Sequence, residues 1–341
     1  MVSDFCIEGG EEICPFKRNM SSPILFVLSS WVVCASALVM LRAYGGWQRK
    51  AEKMDFLVII CRMKNEQFAM RSFVPYYLSH GVDRIYLIDD GSTTPYDEVV
   101  TNNDRVTVIP ASLSRLPRGS QMADADHLYR RIRHRTTWVM SIDADEFVYA
   151  RDNHTIRQHL ETTFRNADCV FVPWVMFSFN GRKEDGTDLL DEYVHRWDHD
   201  RKHPHPRNDE KNRCRHHRIE CKAIFKCDSF ASLKNPHRPT APIRSDVNMR
   251  ESVRNTPQYS ALYPELRERD IQTAIMLCNH YRFTSLAKIR EKCSTGSFNK
   301  YNKMARRTPE ECVENCAMSD YPEVVDTFLK NKWNDIRTRR S

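Results

Sequence analysis

Between residues 56 and 177, short apolar runs alternate with stretches of helical character, and this alternation restricts the fold more than any other feature of the chain. FLVII (56–60), RIYLID (84–89), VTVIP (106–110), WVMSID (138–143) and CVFVPWVMF (169–177) read as strands, because they are short, apolar and rich in β-branched residues. Residues 67–79, 121–135 and 155–165 read as helices between them, and Gly81 supplies a stop after the first. Strands joined through helices can pair side by side in parallel, and a parallel sheet needs cover on both faces. The expected architecture is therefore α/β, with a mostly parallel central sheet and helices on both faces.

Sheets of this kind bind ligands beyond the carboxyl ends of their strands. Three strand ends here carry polar or acidic residues: Asn65 and Glu66, then Asp89 and Asp90, then Asp143, Asp145 and Glu146. One Asp in a turn means little, because Asp is a common turn residue. WVMSIDADEF (138–147) is different, since an apolar strand there closes on three carboxylates. Such groups are costly to bury unless paired or bound to a metal. Residues i and i+2 of an extended chain point the same way, so Asp143 and Asp145 can face one cation with Ala144 turned aside. Two carboxylates beside a diphosphate suit Mn2+ or Mg2+. A calcium hand would need a further ligand and a glycine after DAD, where Glu146 and Phe147 stand. A dinucleotide fingerprint is absent after the first strand, which continues as CRMKNEQ, and a P-loop is absent too.

In this order, the features resemble nucleotide-sugar glycosyltransferases of the GT-A fold, specifically the family 2-like and family 92-like group. The resemblance runs from about residue 57 to 298. It is carried by RMKNEQFAMRSFVPYYLSHGVDRIYLIDDGST (62–93), QMADADHLYRRIRHRTTWVMSIDADEFV (121–148), VPWVMFSFNG (172–181) and CNHYRFTSLAKIREKCSTGSF (278–298). It implies a GT-A domain and a hexosyltransferase-type reaction. A sugar would move, with inversion, from a nucleotide-diphosphate donor to a hydroxyl of a glycan or glycoconjugate acceptor, with Mn2+ (or Mg2+) as cofactor. Carried onto this chain, it puts Asn65, Glu66, Asp89, Asp90 and Lys292 on the donor side. Asp143, Asp145 and His280 would hold the cation, and Trp174, Phe177, Asn180 and Gly181 would line the acceptor side. Inversion requires a base, which should be a carboxylate near the acceptor. Asp185, Asp188 and Asp191 are the candidates. The chain departs from some family 2 enzymes in lacking a clear later acidic pair, which leaves open a GT-A domain that binds a glycan or partner without turnover.

Residues 19–41 carry no charge, and the core of that segment is about one bilayer thick as a helix. The expected organisation is an N-terminal tail (1–22), a single-pass transmembrane signal-anchor (23–42), a linker (43–55), the transferase domain (56–305), and a C-terminal helix (323–333) with a basic tail (306–341 in all). Ala35-Ser36-Ala37 is similar to a cleavage site, but Leu38 to Leu41 extend the apolar run past it. Arg42, Arg49, Lys50 and Lys53 outweigh Lys17 and Arg18 across the span, which points the domain to the cytosol. The resemblance to anchored Golgi enzymes points instead to the lumen of a Golgi-like or other internal membrane, and both orientations stand. The formal charge of +7 is densest in RKHPHPRNDEKNRCRHHR (201–218). No aromatic residue interleaves that block, so no nucleic-acid partner is expected. A nucleic-acid-binding protein acting through it is the alternative of another class. Cys214, Cys221 and Cys227 around His216 and His217 match no standard zinc spacing. Cys312 and Cys316 share a helix face, and Asn19 and Asn153 begin sequons.

Overall fold

The computed structural model describes residues 54–116, 120–201, 203, 219–264, 266–294 and 308–338, all within the unit Lys53–Ser341. The segment expected to form an anchor (23–42), Asn19, and most of the basic block, with Cys214, His216 and His217, lie outside the described residues. Among the described residues no helix is long and apolar enough to cross a membrane.

The strands are β1 (Asp55–Met63), β2 (Arg84–Asp89), β3 (Val106–Pro110), β4 (Thr136–Ser141), β5 (Glu146–Ala150), β6 (Cys169–Met176), β7 (His195–Arg196), β8 (Ile219–Lys226), β9 (Phe230–Ser232), β10 (Thr240–Pro242), β11 (Met249–Glu251), β12 (Leu262–Tyr263), β13 (Met276–His280) and β14 (Val324–Val325). The main sheet has the order β3-β2-β1-β4-β8-β6-β13-β5, with β11 beside β6 and β12 beside β8. β3, β2, β1 and β4 are mutually parallel. β8 runs against both β4 and β6, β13 is parallel to β6, and β5 closes the far edge antiparallel. β1 and β6 are apolar without alternation because both their faces are covered.

β4 and β5 are joined by residues 142–145 alone, although β8, β6 and β13 stand between them in the sheet. Four strand spacings of about 4.8 Å make roughly 19 Å across a flat sheet. Five residue steps reach at most about 18 Å even fully extended, and this segment turns. The sheet therefore curls, and the acidic turn lies across its carboxyl end. β6 divides its free edge to permit this, pairing β11 through Cys169–Phe171 and β13 through Trp174–Met176.

The helix Gln67–Ser79 pins the far edge. Tyr76 Oη donates to Val148 O (2.7 Å), while Tyr77 Oη donates to Glu146 O (2.9 Å) and accepts from Val148 N (2.8 Å). These bonds satisfy backbone groups that an edge strand would otherwise expose. The helix expected over 121–135 is Ala123–Ile132 followed by a 3-10 turn, and the one expected over 155–165 ends at Glu161. The C-terminal helix begins at Phe328 rather than 323, because Val324–Val325 is drawn into pairing with β7 and Asp326 Oδ1 caps Phe328 N (3.1 Å). It packs Trp333 on Tyr76, while Cys293–Cys312 ties the helix Pro309–Ala317 to the helix Leu286–Ser294. Cys316 is a buried thiol beside that disulfide.

Candidate active site

The acidic turn closes on itself. Beyond β4, Ile142 N still bonds Ile60 O (3.2 Å), Asp143 N donates to Glu146 Oε2 (2.9 Å), and Glu146 N donates to Asp143 O (3.2 Å). Glu146 is fully buried as the first residue of β5, Asp145 is mostly buried, and Asp143 is half exposed. Their main partner comes from β8. Met140 sits opposite Ile224, so the antiparallel register carried two residues further sets Lys222 level with Ile142. Lys222 Nζ lies 2.8 Å from Asp143 Oδ2 and 3.0 Å from Glu146 Oε2 and is wholly buried. Burial disfavours an ammonium, but the two carboxylates outweigh it and hold the Lys222 pKa above its ordinary value. Partial desolvation within the turn opposes ionisation of Asp143, half exposed as it is, yet Lys222 overrides it and holds that carboxyl below its usual range. Glu146 is pushed well up by burial, and its Oε1 has no hydrogen-bond partner among the described residues.

β13 brings His280 opposite Glu146 on one side and Met176 on the other. His280 Nε2 lies 3.8 Å from Asp145 Oδ1 and 4.0 Å from Glu146 Oε1. Asp145, Glu146 and His280 each present one ligand atom, all within 4.8 Å of one another. The two carboxylate oxygens suit Mn2+ or Mg2+, and the imidazole nitrogen favours Mn2+ of the two, because Mg2+ prefers oxygen throughout. The buried, unpartnered Glu146 Oε1 is the acceptor such an ion would satisfy. Trp174 walls this cluster, its ring 4.3 Å from the His280 ring and 5.7 Å from Lys222 Nζ.

The helix Leu286–Ser294 adds cations from above. Lys288 and Lys292 are four apart and share a face. Lys288 Nζ is 3.6 Å from Glu66 and donates to Asn65 O (2.6 Å), and Lys292 Nζ lies 3.5 Å from Glu66 and 3.7 Å from Asp145. Burial raises the Asp145 pKa to about 6; Lys292 opposes the rise, and Glu66 and Asp143 reinforce it.

Glu66, Asp143, Asp145, Trp174, His280 and Lys292, all singled out in the sequence, thus converge. Asn65 touches the group through its carbonyl, which accepts from Lys288 Nζ, and the other candidates are engaged elsewhere. Asp89 ends β2 on the same sheet edge and Asp90 follows it; Asp89 Oδ1 holds Ser92 N and Oγ (2.8 and 2.7 Å), and Asp90 pairs with Arg62 (2.6 Å) and Arg115 (3.2 Å). Asn65, in the left-handed region at φ 52°, accepts from Thr93 N (2.8 Å) and so clasps that same turn. Phe177 packs on Tyr281 in the core. Asn180 and Gly181 form an exposed turn whose amides Asp320 accepts. Asp185 accepts from Thr284 Oγ1 (2.6 Å), and Asp191 pairs with Lys330 (3.2 Å). Asp188 caps the short helix Leu189–Glu192 and accepts from Trp333 Nε1 and Arg337. Cys221 and Cys227 are buried thiols on and just after β8.

Sequence reading missed Lys222 and Lys288, and it counted Glu146 in the acidic knot without giving it a role. Lys222 had a signal, as a cation set in the middle of the largely apolar run IECKAIFK (219–226), whose other lysine, Lys226, stands at its end. Lys288 had one too, one helical turn before Lys292.

The model of glycosyltransferase family 92 matches residues 55–317. A protein of Oryza sativa subsp. japonica, described as a glycosyltransferase family 92 protein, is 30% identical over 115 residues, covering 33% of this chain and 19% of its own length. Solved structures are more distant. A 4-diphosphocytidyl-2C-methyl-D-erythritol synthase aligns over 53% of this chain and 79% of its own, with TM-score 0.29 and 12% identity. The synthase from Anaerococcus prevotii DSM 20548 aligns over 64% and 96%, with TM-score 0.28 and 8% identity. With the family model matched across most of its length, the chain belongs to glycosyltransferase family 92.

Proposed function

We propose that this chain is a GT-A enzyme transferring a sugar from a nucleoside-diphosphate donor to a hydroxyl of a glycan acceptor, with a divalent cation, Mn2+ or Mg2+, at the acidic turn. The observation that supports this most is the meeting of Asp145, Glu146, His280 and Lys292 at the carboxyl end of a mostly parallel sheet. Bound there, the cation would offset charge on the leaving diphosphate. Lys288 and Lys292 would receive the same phosphates, exchanging Glu66 for them. The rim formed by Asp89 and the Arg62–Asp90–Arg115 pairing would hold the nucleoside. Trp174, beside His280, would offer an apolar face toward the transferred sugar.

For the base we assign Asp185. Its loop caps the helix that carries both lysines, since Leu286 N bonds Arg182 O (2.9 Å) and Ala287 N bonds Lys183 O (3.0 Å). Asp188 and Asp191 are engaged by the C-terminal helix instead. A single displacement assisted by Asp185 would invert the anomeric centre. The apolar segment 23–42 would hold the enzyme to an internal membrane.

The test is donor turnover by the full chain with a panel of nucleotide sugars, with and without Mn2+, reading free nucleoside diphosphate. We expect release from one donor, stimulated by the metal and lost in Asp145→Asn. No release together with no nucleotide binding would remove the transfer reading.

A further inference from the structure

Three carboxylates stand in the acidic turn, and the way Lys222 engages them is unequal. Asp143 gives Oδ2 to the ammonium at 2.8 Å and stands half exposed at the rim. Glu146 divides its two oxygens. Oε2 accepts from Asp143 N and pairs with Lys222, while Oε1 is buried, has no hydrogen-bond partner among the described residues, and lies 4.0 Å from His280 Nε2. Leaving a buried carboxylate oxygen unmet is costly, so this atom points to a missing cationic or donor group between itself, Asp145 and His280. Asp143 has no such need, because its charge is already answered. Lys222 cannot easily vacate that place. It is wholly buried on β8, between β4 and β6, with the Trp174 ring against its Nζ.

Resting on the transfer reading above, we infer that Lys222 is a positioning residue: by taking Asp143 as its counter-ion, it makes Glu146 the second carboxylate of the cation site. Asp145, Glu146 and His280 are then the protein ligands. Asp143, the first acid of the motif, serves the lysine and locks the turn through its backbone N–H. The site also carries a built-in positive charge beside the divalent ion, so its affinity for the ion is held down by design of the strand pairing rather than by distance.

The experiment is Mn2+ binding by the full chain, read as loss of the free-ion electron paramagnetic resonance signal. Glu146→Gln and Asp145→Asn should each weaken binding by more than about a hundredfold, beyond the usual cost of an outer partner. Asp143→Asn should weaken it by less than about tenfold, as expected for a screened, half-exposed charge. Lys222→Met, where it folds, should tighten binding by about tenfold by removing a unit charge near the ion. The two isosteric amide variants give the answer even where the methionine variant does not fold. Asp143→Asn losing as much as Asp145→Asn, or Glu146→Gln binding normally, would overturn the assignment. No binding by the unaltered protein would overturn it as well, and donor turnover in the same preparation would then decide separately whether transfer stands without the ion.

Discussion

Asp188→Asn distinguishes a structural acid from a catalytic one. Asp188 Oδ1 accepts from Leu190 N (3.0 Å), Asp191 N (3.2 Å) and Ser72 Oγ (3.2 Å), and Oδ2 accepts from Trp333 Nε1 (2.9 Å) and Arg337 Nη1 (3.0 Å). Asparagine keeps one acceptor oxygen for the helix cap but turns an NH2 toward two donors. The Trp333 N–H is buried, and leaving it unmet costs about 1–3 kcal/mol. The pair with half-exposed Arg337 adds only about 0.5 kcal/mol. Asp188→Asn should therefore lower stability by about 2–3 kcal/mol, and Asp188→Ala by about 1 kcal/mol more through the lost cap. The assay is urea unfolding beside donor turnover, measured where the folded fraction is known. Turnover per folded molecule should hold. A general base is worth about 10²–10⁴-fold, so a fall of that size at unchanged stability would refute the structural role and make Asp188 the base. The converse is expected of Asp185→Asn, since the bond that Asp185 accepts from Thr284 carries little stability.

Three further outcomes can be measured. His80 is buried against Tyr76, and neither ring nitrogen has a hydrogen-bond partner among the described residues; burial first, and then Lys332, pulls its pKa to about 3. Only the unfolded chain binds that proton between about pH 6.5 and 3, so stability is intact above this window and falls as pH drops through it, by about 2 kcal/mol at pH 5. His80→Phe keeps the ring and should flatten the slope, leaving the smaller share of His199, which burial and Arg196 lower to about 4; an unchanged slope would clear His80. Arg196→Met strands Glu268 and Asp326, which the buried guanidinium holds at 2.6–2.8 Å, and should cost about 3–5 kcal/mol in urea unfolding. A loss under about 1 kcal/mol would mean the acids find other partners. Asn65→Ala removes the clasp on residues 93–94 and puts an alanine in the left-handed region, costing about 1–2 kcal/mol and raising the donor KM more than it lowers kcat; equal effects on both would argue against a donor-side role for that turn.

The parallel half of the sheet was legible because its signals are local. FLVII, RIYLID, VTVIP and WVMSID each declare a covered strand by composition, and the helices between them force parallel pairing. The acids at the strand ends followed from that geometry alone. β8 was not legible in the same way. It enters from a basic block and carries Glu220 and Lys222 among its apolar residues, so a strand-length run looks interrupted. Its placement comes from pairing with β4, some eighty residues earlier, which no local window contains. The lysine that answers Asp143 was therefore hidden, and with it the reason Asp143 and Glu146 differ. Cysteine spacing likewise showed Cys312 and Cys316 on one face, but Cys293 takes Cys312 because the helix Leu286–Ser294 that carries the first packs against the helix Pro309–Ala317 that carries the second. Asp185, Asp188 and Asp191 are the plainest case. They are the same residue type at three-residue intervals in one segment, equal in chemistry as read from the chain. Their neighbours separate them: Trp333 and Arg337 arrive from the C-terminal helix to occupy Asp188, Lys330 from the same helix takes Asp191, and among the described residues Asp185 accepts a hydrogen bond from Thr284 alone, beside the lysine-bearing helix. A residue type states what a side chain can do, and long-range packing decides which copy is left free to do it.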